Sequence, residues 1–526
     1  MICANLWKRM LPQALRLAGR SALPLHRWAD VTQVKTLEQM PGPSAARFLW
    51  DLFFRRGLAR LHQMQLEGRS RYGPMWKASF GPILTVHVAE PELIEQVLRQ
   101  EGQHPMRSDL SSWKDYRRLR GEGYGLLTAE GEEWQCVRRV LAKHMLRPKA
   151  VQAYEGSLNA VVSDLMETLR LRKQNSSGLV TDVSAELYRF GLEGISSVLF
   201  ESRIGCLDPV VPVETERFIQ SINRMFVLTL VTMAMPPWLH RILPKPWLSF
   251  CQCWDDMFRF AKGHIDQRLK EERLKMEGGE RMEEERLKME GGERMEEERL
   301  KMEGGERMEG QHLICHLSQA GLPLKSVYSN VTELLLAGVD TISSTLSWAL
   351  YELARHPQVQ TELRAEVLKV MCGRPVPNAA DVAEMRLMKA VLKEILRLYP
   401  VIPANARVIP DKDIEVGGYL IPKNTLITLC HFATSRDPKL FRDPDCFLPQ
   451  RWLSRSEAHP FASLPFGLGK RSCIGRRIAE LEIYLALSRI LMQFNVEPAE
   501  ENDTVHPMTR TLLVPERQIN LRFIER

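Results

Sequence analysis

The sequence predicts a mainly α fold with a small β portion, arranged as one large domain, and three of its features lead there. Segments at 151–173, 328–355, 358–372, 381–398 and 475–494 carry apolar residues at helical spacing, the period that buries one face of a helix. Strand-like alternation is confined to GPILTVHVA at 81–89 and to two strands within 413–429, around Gly417-Gly418 and Pro422-Lys423. No long Pro/Gly/Ser linker divides the 526 residues into pattern-rich halves, and 44% hydrophobic against 26% charged residues provide for a large core.

In chain order, the first 29 residues hold Lys8, Arg9, Arg16, Arg20 and Arg27 among Leu, Ala and Trp, and the first acidic residue is Asp30. Arginines spread through apolar positions are transit-peptide chemistry and give a mitochondrial address, whereas a secretory signal needs an uninterrupted apolar run. A basic amphipathic helix on a membrane surface is the alternative. Met40-Pro41-Gly42-Pro43 is a stiff hinge, so residues 1–39 are expected as the transit segment and 40–526 as the folded domain. No apolar run is long enough to span a bilayer. MFVLTLVTMAM at 225–235, followed by Pro236, Pro237 and Trp238, either packs in the core or dips into one leaflet, which makes the expected membrane contact peripheral or monotopic.

EERLKMEGGERME occurs three times unchanged, at 271–283, 284–296 and 297–309. Each copy holds five Glu, three basic residues and a Gly-Gly break, too little apolar surface for a core, so an exposed and partly helical or disordered insert is expected. The repeats take 9 of the 72 Lys and Arg and 15 of the 65 Asp and Glu, leaving 63 basic against 50 acidic residues elsewhere. Such a core attracts anionic lipid or an acidic protein. No aromatic-interleaved basic motif supports nucleic acid.

The ten cysteines are scattered without the dense spacing of a secreted disulfide scaffold, and Cys251-x-Cys253 and Cys315-His316 lack a second pair at zinc-site spacing. Cys473 is different. It lies in FGLGKRSCIG at 466–475, just before a helix, where Gly467 and Gly469 permit tight turns that aim amide N–H groups at the sulfur. The helix N-terminus adds positive potential, so the thiolate is favoured. Such a thiolate can be the axial ligand of haem iron, and Arg471 would meet a haem propionate.

The ten-residue pattern resembles the haem-binding loop of the cytochrome P-450 superfamily. That resemblance implies the cytochrome P-450 fold, a single haem b domain and monooxygenase activity. Glu394 and Arg397 in KEILRLYP stand three apart on a helix and, with Arg451 of FLPQRW at 447–452, resemble the family's Glu-Arg-Arg core, a structural network that would lock the cysteine loop. In ELLLAGVDTISSTLSWAL at 333–350, Gly338 would let the helix approach the haem. Thr341 can turn its hydroxyl to a backbone carbonyl and open a niche for dioxygen, and Asp340 and Thr341 would relay protons. By resemblance, Trp134 and Arg138 of EEWQCVRRV and Arg407 after VIPANA contact the propionates.

GRRIAELE at 475–482 and LMKAVLKE at 387–394 look like the mitochondrial branch, whose electrons come from NADPH through a reductase and a small acidic [2Fe-2S] ferredoxin. Lys389, Lys393, Arg476 and Arg477 are the expected ferredoxin contacts. Within that branch, GLLTAEGEEWQ, FGLEGISSVLF, TMAMPPWL, ELLLAGVDT, LCHFATSRDP and HPFASLPFGLGKRSC together resemble the vitamin D and sterol hydroxylases of family 27. This implies a matrix-side enzyme of the mitochondrial inner membrane that hydroxylates 25-hydroxyvitamin D at ring carbon 1, with side-chain hydroxylation of a sterol as the alternative. A haem enzyme that rearranges peroxides without external electrons, and a haem-thiolate protein that binds without turnover, are the rival classes. The intact AGVDT centre argues against the first.

Overall fold

The computed structural model describes residues 34–526 except 56, 81–82, 175–177, 236–238, 291–312, 455–458 and 502. Residues 1–33, Pro236 to Trp238, the second repeat beyond Glu290 and the whole third repeat lie outside the described residues. The fold is mainly α with a small β portion and is organised around one central helix, Leu324–Arg355, which starts behind Pro323 and stops at His356-Pro357, where the proline disfavours a further helical residue. Most of its side chains are buried on every face, the mark of a helix inside a core. Its hydroxyls are satisfied locally: Thr332, Thr341, Thr345 and Ser347 donate to carbonyls one turn back.

Helix Val183–Leu199 packs closely along the central helix because two glycines let the backbones approach. A Cβ at Gly191 would stand 3.1 Å from the Val339 carbonyl oxygen, and one at Gly338 would stand 2.8 Å from Ile195. Gly338 therefore serves helix–helix packing as well as the cavity wall for which the sequence singled it out. Helix Arg476–Gln493, which follows the cysteine loop, is buried along most of its length in the same core.

The β portion is richer than the sequence suggested. Four strands form the main sheet: Met75–Phe80 lies antiparallel to Ile83–Val88, which runs parallel to Leu426–Leu429, which is antiparallel to Asn405–Val408. The 413–429 region yields three strands, Ile414–Val416, Tyr419–Ile421 and Leu426–Leu429, with turns at both expected places. Lys35–Thr36 pairs in parallel with Tyr419 and Leu420, so regular structure begins before the Met40 hinge. A partner almost four hundred residues away is invisible to local pattern.

One helix differs from its sequence expectation for a tertiary reason, and another shows how far the repeats are helical. The 381–398 segment splits at Met385 into Ala379–Glu384 and Arg386–Leu398. Asn378 caps the first piece, and the Glu366 carboxylate accepts from the Leu387 and Met388 amides at 2.7 and 2.9 Å, capping the second. Helix Pro244–Glu290 runs through the first repeat and into the second, across Gly278 and Gly279. An interior glycine costs about 1 kcal/mol, and Glu-to-basic pairs such as Arg268–Glu271 and Lys275–Glu272 work the other way. Within 225–235, Met225, Phe226, Thr229 and Thr232 are buried on helix Val213–Ala234 while Val227 is exposed, so one face of this segment packs in the core.

Candidate active site

The cysteine loop is shaped by its glycines. Gly467 and Gly469 have φ of 66° and 79°, values that side-chain-bearing residues rarely adopt. A Cβ on Gly469 would also stand 2.5 Å from a Glu101 carboxylate oxygen. The Cys473 amide donates to the Phe466 carbonyl at 2.8 Å and the Ser472 amide to Gly469 at 3.1 Å, which folds the loop back and brings Sγ to the wall of a cavity of about 290 Å³. Burial pushes the Cys473 thiol up, and the Gly475 amide with the charges of Arg107, Arg138 and Arg476 offsets only part of that rise, so desolvation outweighs the helix-mouth effect that the sequence suggested.

The central helix forms the opposite wall. Glu333, Ala337, Thr341 and Thr345, each four residues after the last, line the same cavity, joined by Leu334, Gly338 and Ile342. The Thr341 hydroxyl donates to the Ala337 carbonyl at 2.8 Å. Asp340 is set apart. Neighbouring residues on a helix point about 100° away from each other, and the Asp340 carboxylate faces a second cavity of about 440 Å³ beyond the helix. There it accepts from the Tyr188 hydroxyl at 2.9 Å and pairs with Arg510 at 3.2 Å. Burial raises its pKa, against the pull of Arg510. Asp340 and Thr341 thus share a helix turn but not a cavity.

Arg107, Arg138, Arg407 and Arg471 converge on the cysteine loop. Burial lowers Arg107 to about 10, with Arg407 adding to the effect, and lowers Arg471 to about 9, with Arg107 and Arg407 adding to it. The four cations are differently engaged. Arg471 donates to the carbonyls of Pro105, Leu126 and Ala129 at 2.7, 3.2 and 3.1 Å and lies 3.9 Å over the Trp134 ring. Arg407 is held by Glu101 at 2.6 Å. Arg107 donates to the Arg471 carbonyl, yet its buried Nε has no partner, and Arg138 reaches only the Ser472 hydroxyl at 3.5 Å. Among the described residues neither Arg107 nor Arg138 has a carboxylate partner.

A buried cationic cluster with spare donors beside an apolar cavity and a thiol fits one kind of guest, a flat apolar macrocycle with carboxylates and a metal that takes sulfur. Haem meets that description, so the donor set fits the group that the cysteine motif implied. Arg471 is the expected propionate contact whose nitrogens are largely spent on backbone. Arg107 is the residue that sequence reading missed. An isolated bridge between Met106 and Val408 brings it beside Arg407, and nothing local in HPMRSDL announces that pairing.

Behind the site, Glu394 and Arg397 are fully buried and bonded twice, at 2.8 Å each, and Arg451 joins Glu394 at 3.0 Å. Arg397 also donates to the carbonyls of Ser435, Pro444 and Cys446. Trp452 Nε1 and the Leu448 amide complete the carboxylate at 2.8 and 3.0 Å, contacts the sequence reading did not include. The network thus ties helix Arg386–Leu398 to the 435–452 segment rather than directly to the cysteine loop. On the surface, Lys393 and Arg477 are exposed, Arg476 pairs with Glu480 at 3.0 Å, and Lys389 donates to the Ala383 carbonyl. Cys251, Cys253 and Cys315 are buried free thiols.

The chain is 49% identical to 25-hydroxyvitamin D-1 alpha hydroxylase, mitochondrial, of Rattus norvegicus over 526 residues, covering 98% of this chain and 100% of the rat protein. It is 51% identical to the protein of that name from Homo sapiens over 498 residues, 94% of this chain and 93% of the human one. Sterol 26-hydroxylase, mitochondrial, of Oryctolagus cuniculus is 40% identical over 527 residues, covering 98% and 94%. The cytochrome P-450 family model matches residues 40–523, spanning the cysteine loop, the central helix and the Glu394 network. The chain belongs to the cytochrome P-450 family.

Proposed function

We propose that this monooxygenase hydroxylates 25-hydroxyvitamin D at ring carbon 1. The observation that carries the reading is identity near one half, over almost the full length of both chains, to two proteins named for that reaction. Haem is its cofactor and its electrons come from NADPH through a reductase and a ferredoxin, as in the mitochondrial family 27 enzymes to which it is similar. When bound, the haem supplies dioxygen activation with two electrons and two protons and insertion of one oxygen atom into a C–H bond.

In this reading, Cys473 Sγ ligates the iron, and the Gly475 amide and the neighbouring arginines temper the charge on the sulfur. Arg107 and Arg138 hold the propionates with their unspent donors, while Arg407 and Arg471 brace the loop around them. Trp134 gives Arg471 an aromatic face to lie on. The Thr341 hydroxyl, fixed as a donor on the Ala337 carbonyl, presents its oxygen to the cavity as an acceptor that would hold a water, and that water would carry the proton inward. Asp340 takes protons up on the far side of the helix, where Tyr188 and Arg510 orient its carboxylate. Leu126, Leu127 and Ile195 keep the wall apolar and limit water. Lys389, Lys393, Arg476 and Arg477 form the ferredoxin face, Glu394, Arg397 and Arg451 brace the fold, and the transit segment ends before the Lys35–Thr36 strand, which pairs with the domain rather than waiting for the Met40 hinge. No described helix is long and apolar enough to cross a membrane. The reading adds peripheral contact with the matrix side of the inner membrane.

Substrate-induced spectral titration tests the substrate. Haem-loaded protein is expected to bind 25-hydroxyvitamin D at least tenfold more tightly than a cholesterol-type sterol, and the reverse order would transfer the reading to sterol side-chain hydroxylation. Thr341→Ala is expected to lower product formed per NADPH consumed by about tenfold or more, as loss of the group that positions a proton-carrying water does. Thr341→Ser retains most of the coupling. Product and peroxide measured together read this directly.

A further inference from the structure

Residues 121–130, GEGYGLLTAE, join two helices without a helix or strand of their own. This segment crosses the cavity as a strap, and Leu126 and Leu127 on it face inward. Gly121 at its start and Gly131 just beyond its end have φ of 66° and 58°. In between it lies flush on the central helix. A Cβ on Gly125 would be 2.4 Å from a Glu333 carboxylate oxygen, and one on Gly123 2.8 Å from the Lys325 carbonyl oxygen. A glycine-rich segment loses much conformational freedom on ordering and cannot hold such a path by itself.

What holds it comes from two sides. From the central helix, Asn330 accepts from the Leu126 amide at 2.9 Å, Ser329 donates to the Gly123 carbonyl at 2.7 Å, and Glu333 accepts from the Leu127 amide and the Thr128 hydroxyl, both at 2.7 Å. From the cysteine loop, Arg471 donates to Leu126 and Ala129. Glu333 is paired in turn with Arg117 at 3.3 Å, with the two side chains 1% and 0% exposed, and the Arg117 guanidinium lies 4.0 Å over the Trp254 ring. A buried ion pair adds little net stability over apolar residues of the same volume, because desolvating both charges offsets their attraction. Its physical product here is orientation, since the carboxylate is the acceptor that receives the Leu127 amide and the Thr128 hydroxyl.

We propose that Glu333, oriented by Arg117, is a positioning residue that clasps the 121–130 strap over the cavity and thereby sets affinity for an apolar substrate, without taking part in the oxidation. Glu333 acts through Leu126 and Leu127, which contact the substrate in its place. The inference rests on the monooxygenase reading of the cavity but not on which sterol or secosteroid fills it. Releasing the clasp lets the strap lift, so substrate binds more weakly while the bound complex reacts at its usual rate.

Thr128→Val removes one donor to Glu333, together with the acceptor that receives the Gly125 amide at 3.0 Å within the strap, and leaves the buried ion pair in place, so folding is preserved. Glu333→Gln combined with Arg117→Met removes the charges together and avoids an unpaired buried ion. In both variants, hydrogen exchange at the Leu126 and Leu127 amides is expected to rise about tenfold in the haem-loaded protein. The dissociation constant and KM for 25-hydroxyvitamin D are expected to rise about tenfold, with kcat within twofold of the parent. Unchanged exchange at these two amides would overturn the clasp, and so would a fall in kcat at constant KM. If the parent protein does not bind 25-hydroxyvitamin D at all, the substrate reading fails, while the exchange measurement still decides the clasp on its own.

Discussion

Glu394→Ala is expected to be the most damaging single substitution for the fold. The carboxylate is fully buried and accepts from Arg397, Arg451, Trp452 Nε1 and the Leu448 amide. Removing it strands a guanidinium that is itself 0% exposed. Breaking a buried pair from one side costs about 3–5 kcal/mol, against a total stability of about 5–15 kcal/mol for a folded domain. The variant should lose most of its haem-loaded yield, and thermal unfolding should begin well below that of the parent. Glu394→Gln keeps an acceptor oxygen and should lose less. Unfolding within about 1 kcal/mol of the parent for Glu394→Ala would remove the network from the account.

Cys473→Ser is expected to have the largest effect on activity with the smallest effect on structure. Serine is nearly isosteric, and the backbone bonds that shape the loop, from the Cys473 amide to Phe466 and from Ser472 to Gly469, do not involve the sulfur. Far-ultraviolet circular dichroism should therefore be unchanged. The ferrous carbon monoxide complex should lose its thiolate-type absorption, and hydroxylation should fall below detection. Cys136, exposed two residues before the cavity-lining arginine Arg138 on the same helix, is the control: Cys136→Ser should leave both intact.

Both predictions concern groups that were legible in the sequence, and for the same reason. The cysteine loop is local: its glycines, its cysteine and the helix behind it lie within ten residues, so chain order and geometry coincide. Glu394 and Arg397 stand three apart on a helix, a spacing that already places them together. Legibility fades where geometry depends on distant pairing. Trp452 as a fourth donor to Glu394, Arg107 beside Arg407, and Arg117 beneath Glu333 all come from elements far apart in the chain. Asp340 is an intermediate case. Its identity was readable, but its direction follows from helix rotation and from where Tyr188 and Arg510 stand, and only the folded chain supplies those partners.

The secondary structure divides along the same line. The central helix was readable to within four residues at its start, because its period persists over many turns and Pro357 limits it at the other end. The split at Met385 was not, because a carboxylate from another helix makes the break by capping the second piece. The first repeat is helical, within the partly helical or disordered insert expected, since two glycines weaken a long helix without being obliged to end it.

The most direct test of the functional account is the product of turnover. Haem-loaded protein would be incubated with ferredoxin, its reductase, NADPH and 25-hydroxyvitamin D, and the products compared by mass spectrometry with ring-1, side-chain-24 and side-chain-27 hydroxylated standards. The account predicts the ring-1 alcohol as the main product, absent when ferredoxin is left out. Side-chain products alone, or a normal thiolate-haem spectrum without turnover, would contradict it.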